Sequence, residues 1–154
     1  MENKICSFFG HRNVECKEEV FYRVLNLVKK LIKDNYSIFL FGGFGEFDDI
    51  CYAVVTQLKK EYPYIRRVYC YSDEKQFLRE KRRGLILDTD YEKFEFLSLD
   101  YDYWYTRIYF RNCKMVDLSD VIVFYAEEKE SSGAFKALKS AVKTKKEIFN
   151  VYKE

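Results

Sequence analysis

Tyr36-Ser37-Ile38-Phe39-Leu40-Phe41-Gly42-Gly43-Phe44-Gly45, running on into Glu46-Phe47-Asp48, is the stretch whose reading decides the fold. Its first six residues are an apolar run of strand length, and the glycines close it. From Asp48 to Tyr62 the period changes: Cys51, Val54, Val55, Leu58 and Tyr62 fall on one helical face, and Pro63 ends the helix. A strand that passes through a glycine turn into a helix is the unit from which parallel α/β sheets are built.

The same unit recurs on either side. Ile5-Cys6-Ser7-Phe8-Phe9 is a short apolar run closed by Gly10, and Glu15 to Asn35 carries Val20, Val24, Leu27, Val28 and Leu31 as one apolar stripe. Ile65 to Tyr71 reads as a third strand, placed near the sheet edge because it holds Arg66 and Arg67. Asp100 to Leu118 reads as a helix, Val121 to Tyr125 as a fourth strand, a helix follows from Ser131 or Ser132 to about Lys145, and Glu147 to Tyr152 closes as the fifth strand. The expectation is an α/β, Rossmann-like three-layer sandwich: a mostly parallel five-stranded sheet with helices on both faces.

Residues 72–99 interrupt this rhythm with a charge run through Lys75, Arg79, Lys81, Arg82 and Arg83 and are read as an insertion. A solvated helix and loop accounts for them, and so does a basic lid that closes over phosphates. With 154 residues the chain is expected to be one domain over 1–154.

Composition narrows the classes of function. The net charge of +2, from 27 basic and 25 acidic side chains, is too small an excess to imply a polyanion, so nucleic acid is not expected as a partner. Five cysteines without a CxxC pair, and His11 as the one histidine, leave no metal set; the thiols read as reduced and mostly buried. No run approaches a signal core or a membrane span. A cytoplasmic protein with no required cofactor is expected, self-associating through aromatics around Trp104.

In such a sheet ligands gather at the carboxyl ends of the strands. Three segments should meet there: Gly10-His11-Arg12, Gly42 to Asp48, and Ser131-Ser132-Gly133-Ala134. Glycine lets a backbone approach a ligand closely, and the first N–H groups of the following helix favour an anion. A tight connection between strand and helix explains the glycines too, an ordinary N-cap explains Ser131 or Ser132, and the helix dipole explains Asp48 and Asp49. Arg111-Asn112 is placed to project a guanidinium toward the same edge, with an ion pair to Asp117 or Glu127 as its competing use.

Cys6 to Arg12, the glycine turn through Asp48, Arg111-Asn112-Cys113-Lys114-Met115-Val116-Asp117-Leu118-Ser119-Asp120, and Ser132-Gly133-Ala134 together resemble the SLOG superfamily, in particular its small single-domain bacterial and phage branch. The resemblance spans the chain apart from 72–99. It implies a pocket for a nucleotide or nucleotide-derived small molecule, used for sensing or, as in the Lonely Guy phosphoribohydrolases, for cleavage of an N-glycosidic bond. In those hydrolases an arginine-lysine pair precedes the fourth strand and a glutamate follows it. Here Arg111 stands at the arginine position, Asn112 at the lysine position and Ala137 at that of the glutamate. Alanine can neither steady an oxocarbenium-like centre nor activate water. The reading ranks a nucleotide-binding or sensing protein first, a hydrolase using Glu46 or Asp48 as its carboxylate second, and an interaction module third.

Overall fold

The computed structural model describes residues 3–127, 133–144 and 146–152, with side chains at 133–135 outside the description. Its elements alternate: β1 (Lys4–Gly10), α1 (Lys17–Lys33), β2 (Tyr36–Phe41), α2 (Glu46–Glu61), β3 (Arg66–Tyr71), α3 (Glu74–Arg82), β4 (Lys93–Phe96), α4 (Trp104–Leu118), β5 (Val121–Tyr125), α5 (Gly133–Lys143) and β6 (Glu147–Asn150). The strands form one sheet in the order β4-β3-β2-β1-β5-β6, and every neighbouring pair is parallel.

Strand alternation divides the core in two. Cys6, Phe8, Phe39, Phe41, Val121 and Val123 point to one face, where α1 and α2 cover them with Val24, Val28, Phe47, Cys51 and Val54. Their neighbours Phe9, Leu40, Ile122 and Phe124 point to the other, against Met115 and Val116 of α4 and Ala141 of α5. Because side chains on a strand have period two, a continuous apolar run serves both layers at once. Cys6, Cys51 and Cys70 are buried within these layers, and burial pushes all three thiols above their ordinary range, which makes them inert packing groups.

The sheet has six strands where five were expected, and the difference lies in the segment read as an insertion. Residues 72–99 carry α3 and β4, and β4 extends the sheet beyond β3. Its four residues, Lys93-Phe94-Glu95-Phe96, were too few and too charged to read as a strand. The two arginines that had placed β3 at the edge are explained differently. Arg67 is buried and forks onto Glu92, with Nε to Oε1 at 3.1 Å and a terminal nitrogen to Oε2 at 2.7 Å, while its other nitrogen donates to Thr56 and Tyr52. The paired carboxylate holds that guanidinium's pKa above its ordinary value. Glu92→Ala should leave a largely desolvated guanidinium unpaired and cost about 2–3 kcal/mol, discounted from a fully buried pair because Glu92 keeps 27% of its side-chain exposure. Urea unfolding of the variant beside the parent chain checks this.

Candidate functional site

The strand order reverses at β1, which lies between β2 and β5, so the crevice at the carboxyl ends of these strands is where such a fold presents a site. A cavity of about 440 Å³ opens there, lined by Gly10, His11, Arg12, Gly42, Phe44, Asp48, Arg111 and Asn112, with Phe8, Phe9, Trp104 and Ile108. Two of the three expected loops therefore meet, together with the arginine of α4. A second cavity of about 260 Å³ shares Gly42, Phe44, Trp104, Ile108 and Arg111 with the first and continues toward Tyr69, Tyr71 and α3. The two make one cleft across the ends of β1, β2 and β3.

The glycine turn is built by close approach. Gly43 and Gly45 hold φ of 70° and 97°, which favour glycine, and a Cβ on Gly45 would sit 2.9 Å from the Arg12 Cα. On Gly42 it would press on the Arg111 guanidinium at 2.9 Å. The turn's own groups are occupied from within the chain. Gly43 N–H donates to Asp48 Oδ2 at 2.9 Å, and Glu46 N–H, at the start of α2, donates to the Arg12 carbonyl at 2.8 Å. The Asp48 carboxylate thus stands where a phosphate cradle would need an external anion.

Asp48 and Arg111 are both buried. Burial raises the Asp48 carboxyl to about 7 against the opposing pull of Arg111 and the turn amides. Desolvation lowers the Arg111 pKa, offset in part by Asp48, and the guanidinium remains charged. Arg111 donates to the Gly42 carbonyl at 2.9 Å and to Asn112 Oδ1, so it fastens α4 to the turn. Asp117 and Glu127, its competing partners on sequence grounds, are not used.

Glu46 turns the other way: its carboxylate accepts from Val14 N–H at 2.9 Å and pairs with Lys17 at 2.5 Å. These bonds hold its pKa below the usual glutamate value. His11 Nε2 accepts from Glu127 N–H at 2.6 Å while the His11 backbone N–H donates to the Tyr125 carbonyl, tying the end of β1 to the end of β5. Ala137 lies on α5 in a neighbouring groove with Tyr105, Tyr109 and Cys113, which meets the cleft at Ile108 and Asn112. Gly133 and Ala134 begin α5, whereas Ser131 and Ser132 lie outside the described residues.

Sequence reasoning placed Arg12 and Phe44 at this edge but missed Trp104 and Arg107 beside them. Phe44 is 52% exposed with Arg12 stacked 4.7 Å from its ring centre, and Trp104, 65% exposed, lines the same cleft. Arg107 lines the cleft beside Trp104 and pairs with Asp73 at 2.8 Å. The signal was present in Tyr103-Trp104-Tyr105: consecutive residues at the start of a helix sweep about 200° of its circumference, so they cannot all face a core.

A Rossmann-like parallel α/β fold, with its crevice at the reversal of strand order, is the class these features define. Two solved structures share it. Streptococcus pneumoniae DNA processing protein A matches with a TM-score of 0.63 and 12% identity over 96% of this chain and 50% of that one. Helicobacter pylori DNA processing protein A, described for its unique single-stranded DNA binding mode, matches with a TM-score of 0.61 and 16% identity over 96% of this chain and 64% of that one. The chain thus spans between half and two thirds of the solved chains it resembles. No family model and no curated protein matches it.

These findings bear out the resemblance at the level of fold and correct the expected function. A small nucleotide ligand, sensed or hydrolysed, is not what the similar proteins point to: both are DNA processing proteins, and one is described by how it binds single-stranded DNA. The expectation that nucleic acid is not a partner is overturned by the same match. Both errors have a physical source. Net charge averages over the whole surface and says nothing about a local rim, and the glycine turn taken for a phosphate cradle spends its amides on Asp48 and Arg12.

Proposed function

We propose that the chain binds single-stranded DNA in the cleft at the carboxyl ends of β1, β2 and β3. The observation that carries this is the pairing of Arg12 with the exposed Phe44 ring in a cleft that the exposed Trp104 also lines. Flat π-faces accept any base by stacking, and a guanidinium beside them meets phosphate or stacks in turn. A duplex hides its base faces, so the cleft should prefer an unpaired strand. Similarity in fold to a protein described by its single-stranded DNA binding supports the same reading. The free cysteines accord with a cytoplasmic setting, and no helix among the described residues is long and apolar enough to cross a membrane.

Trp104 is the single tryptophan of the chain, so intrinsic fluorescence reports on the cleft directly. Adding a thymidine oligonucleotide should quench it, and a duplex of equal length should do so more weakly. Trp104→Ala and Arg12→Ala, read by anisotropy of a labelled strand, should each weaken binding by about 5- to 100-fold, the worth of one stacked base. Oligonucleotide binding that is undiminished in both variants, or no quenching at any concentration, refutes the assignment.

A further inference from the structure

The charge run of residues 75–83 forms part of α3, whose remaining surface builds one wall of the cleft. Phe77 anchors the helix, stacked on Tyr71 with ring centres 3.9 Å apart, and Gln76 and Glu80 face the cleft. On the side away from Phe77 stand Lys75, Arg79, Arg82 and Arg83, all exposed. Their spacing of four, three and one residues keeps them on one face over about 12 Å of helix. Other cations nearby are committed: Lys81 pairs with Asp88 and lies over Phe77 and Phe94, and Arg107 pairs with Asp73. None of the four makes an ion pair within 4 Å among the described residues. The helix's two acidic residues, Glu74 and Glu80, lie off this face by their helical phase.

Four uncompensated cations on a short helix repel one another and offer nothing to the core, since Phe77 alone of the helix is buried there. We infer that this outer face of α3 is a second contact surface for single-stranded DNA, carrying the phosphate backbone of the strand whose bases stack in the cleft. The inference rests on the single-strand reading of the cleft and adds the path by which the strand leaves it, over α3 toward the β4 edge. Cations spaced along a helix neutralise successive phosphates of a flexible chain without reading its bases, so this surface supplies affinity and salt dependence while Phe44 and Trp104 supply the preference for unpaired bases.

The test uses two double variants, Lys75→Gln with Arg79→Gln and Arg82→Gln with Arg83→Gln, and the four combined. Affinity for a labelled thymidine strand of about twenty nucleotides, long enough to cover both surfaces, is followed across a salt series. Each phosphate contact contributes about 0.7 to the slope of log affinity against log salt. Each double variant should therefore flatten the slope by about 1.4, and the fourfold variant by about 2.8 with at least a roughly tenfold loss at low salt. Trp104 quenching at saturation should be unchanged in all of them. A slope and affinity equal to those of the parent chain overturn the inference while the cleft reading stands. A parent chain that neither quenches nor binds overturns both. Thermal unfolding of the double variants at the parent temperature keeps loss of fold from imitating the result.

Discussion

Replacing Arg111 with methionine should cost the fold about 3–5 kcal/mol near pH 8 and markedly less near pH 5. The methionine fills much of the arginine's volume, so the loss is electrostatic and polar rather than a cavity. Arg111 donates to the Gly42 carbonyl and to Asn112 Oδ1 and is the cation facing buried Asp48. Near pH 8 the variant holds an ionised carboxylate with no counter-charge, or must protonate it against the solution. Near pH 5 Asp48 already carries its proton in the parent chain, because burial has raised its carboxyl to about 7, and only the hydrogen bonds are lost. Urea unfolding of both proteins at the two pH values measures the difference.

The same group fixes the sign of the parent chain's own pH dependence. An aspartate whose folded pKa is raised binds its proton more tightly in the native state than in the unfolded one. Its contribution to stability is full below the unfolded value of 3.8 and is lost as pH rises through about 7. Asp48→Asn keeps an acceptor for Gly43 N–H and removes this proton, so the stability difference between variant and parent should move in the variant's favour as pH rises from about 4 to 7. A difference that is flat in pH would show that Asp48 is ionised throughout.

Gly10→Ala should be strongly destabilising. A Cβ at this position falls inside the Phe47 ring, and Phe47 is itself fully buried, stacked on Tyr125 with ring centres 5.5 Å apart. The ring has no room to retreat, so overpacking should cost 3 kcal/mol or about that. The effect should include the cleft, because displacing Phe47 moves the first turn of α2 and with it Asp48. Reduced solubility and loss of the cooperative thermal transition are the expected readouts; an unchanged midpoint would show that β1 and α2 can separate freely.

Gly10 also shows where the reading of residues and the folded chain part company. From the sequence it was a ligand-facing glycine; in the fold it lines the cleft and is also the place where α2 packs against the end of β1. Gly43 and Gly45 were legible as a turn, since their positive φ is where glycine is favoured, but what fills the turn was not. Asp48 lies five residues from Gly43 and looked like any acid in a helix's first turn. Only its burial beside Arg111, 63 positions further along, makes it the acceptor that fills the turn.

Local periodicity determined the elements themselves, because apolar residues at spacing two or three to four can be buried in only one way. β1, β2, β5 and the helices that follow the first two strands lie within a few residues of the expected bounds, and the parallel, Rossmann-like sheet with helices on both faces is as expected. Tertiary structure alone decided three things. It paired the short, charged β4 with β3, which backbone hydrogen bonds permit without any apolar pattern. It set Arg67 against Glu92, 25 positions apart, so that an edge signal became a buried pair. And it brought Trp104 to the cleft where the sequence had already placed Arg12 and Phe44, a juxtaposition that rests on where α4 packs on the sheet and not on spacing along the chain.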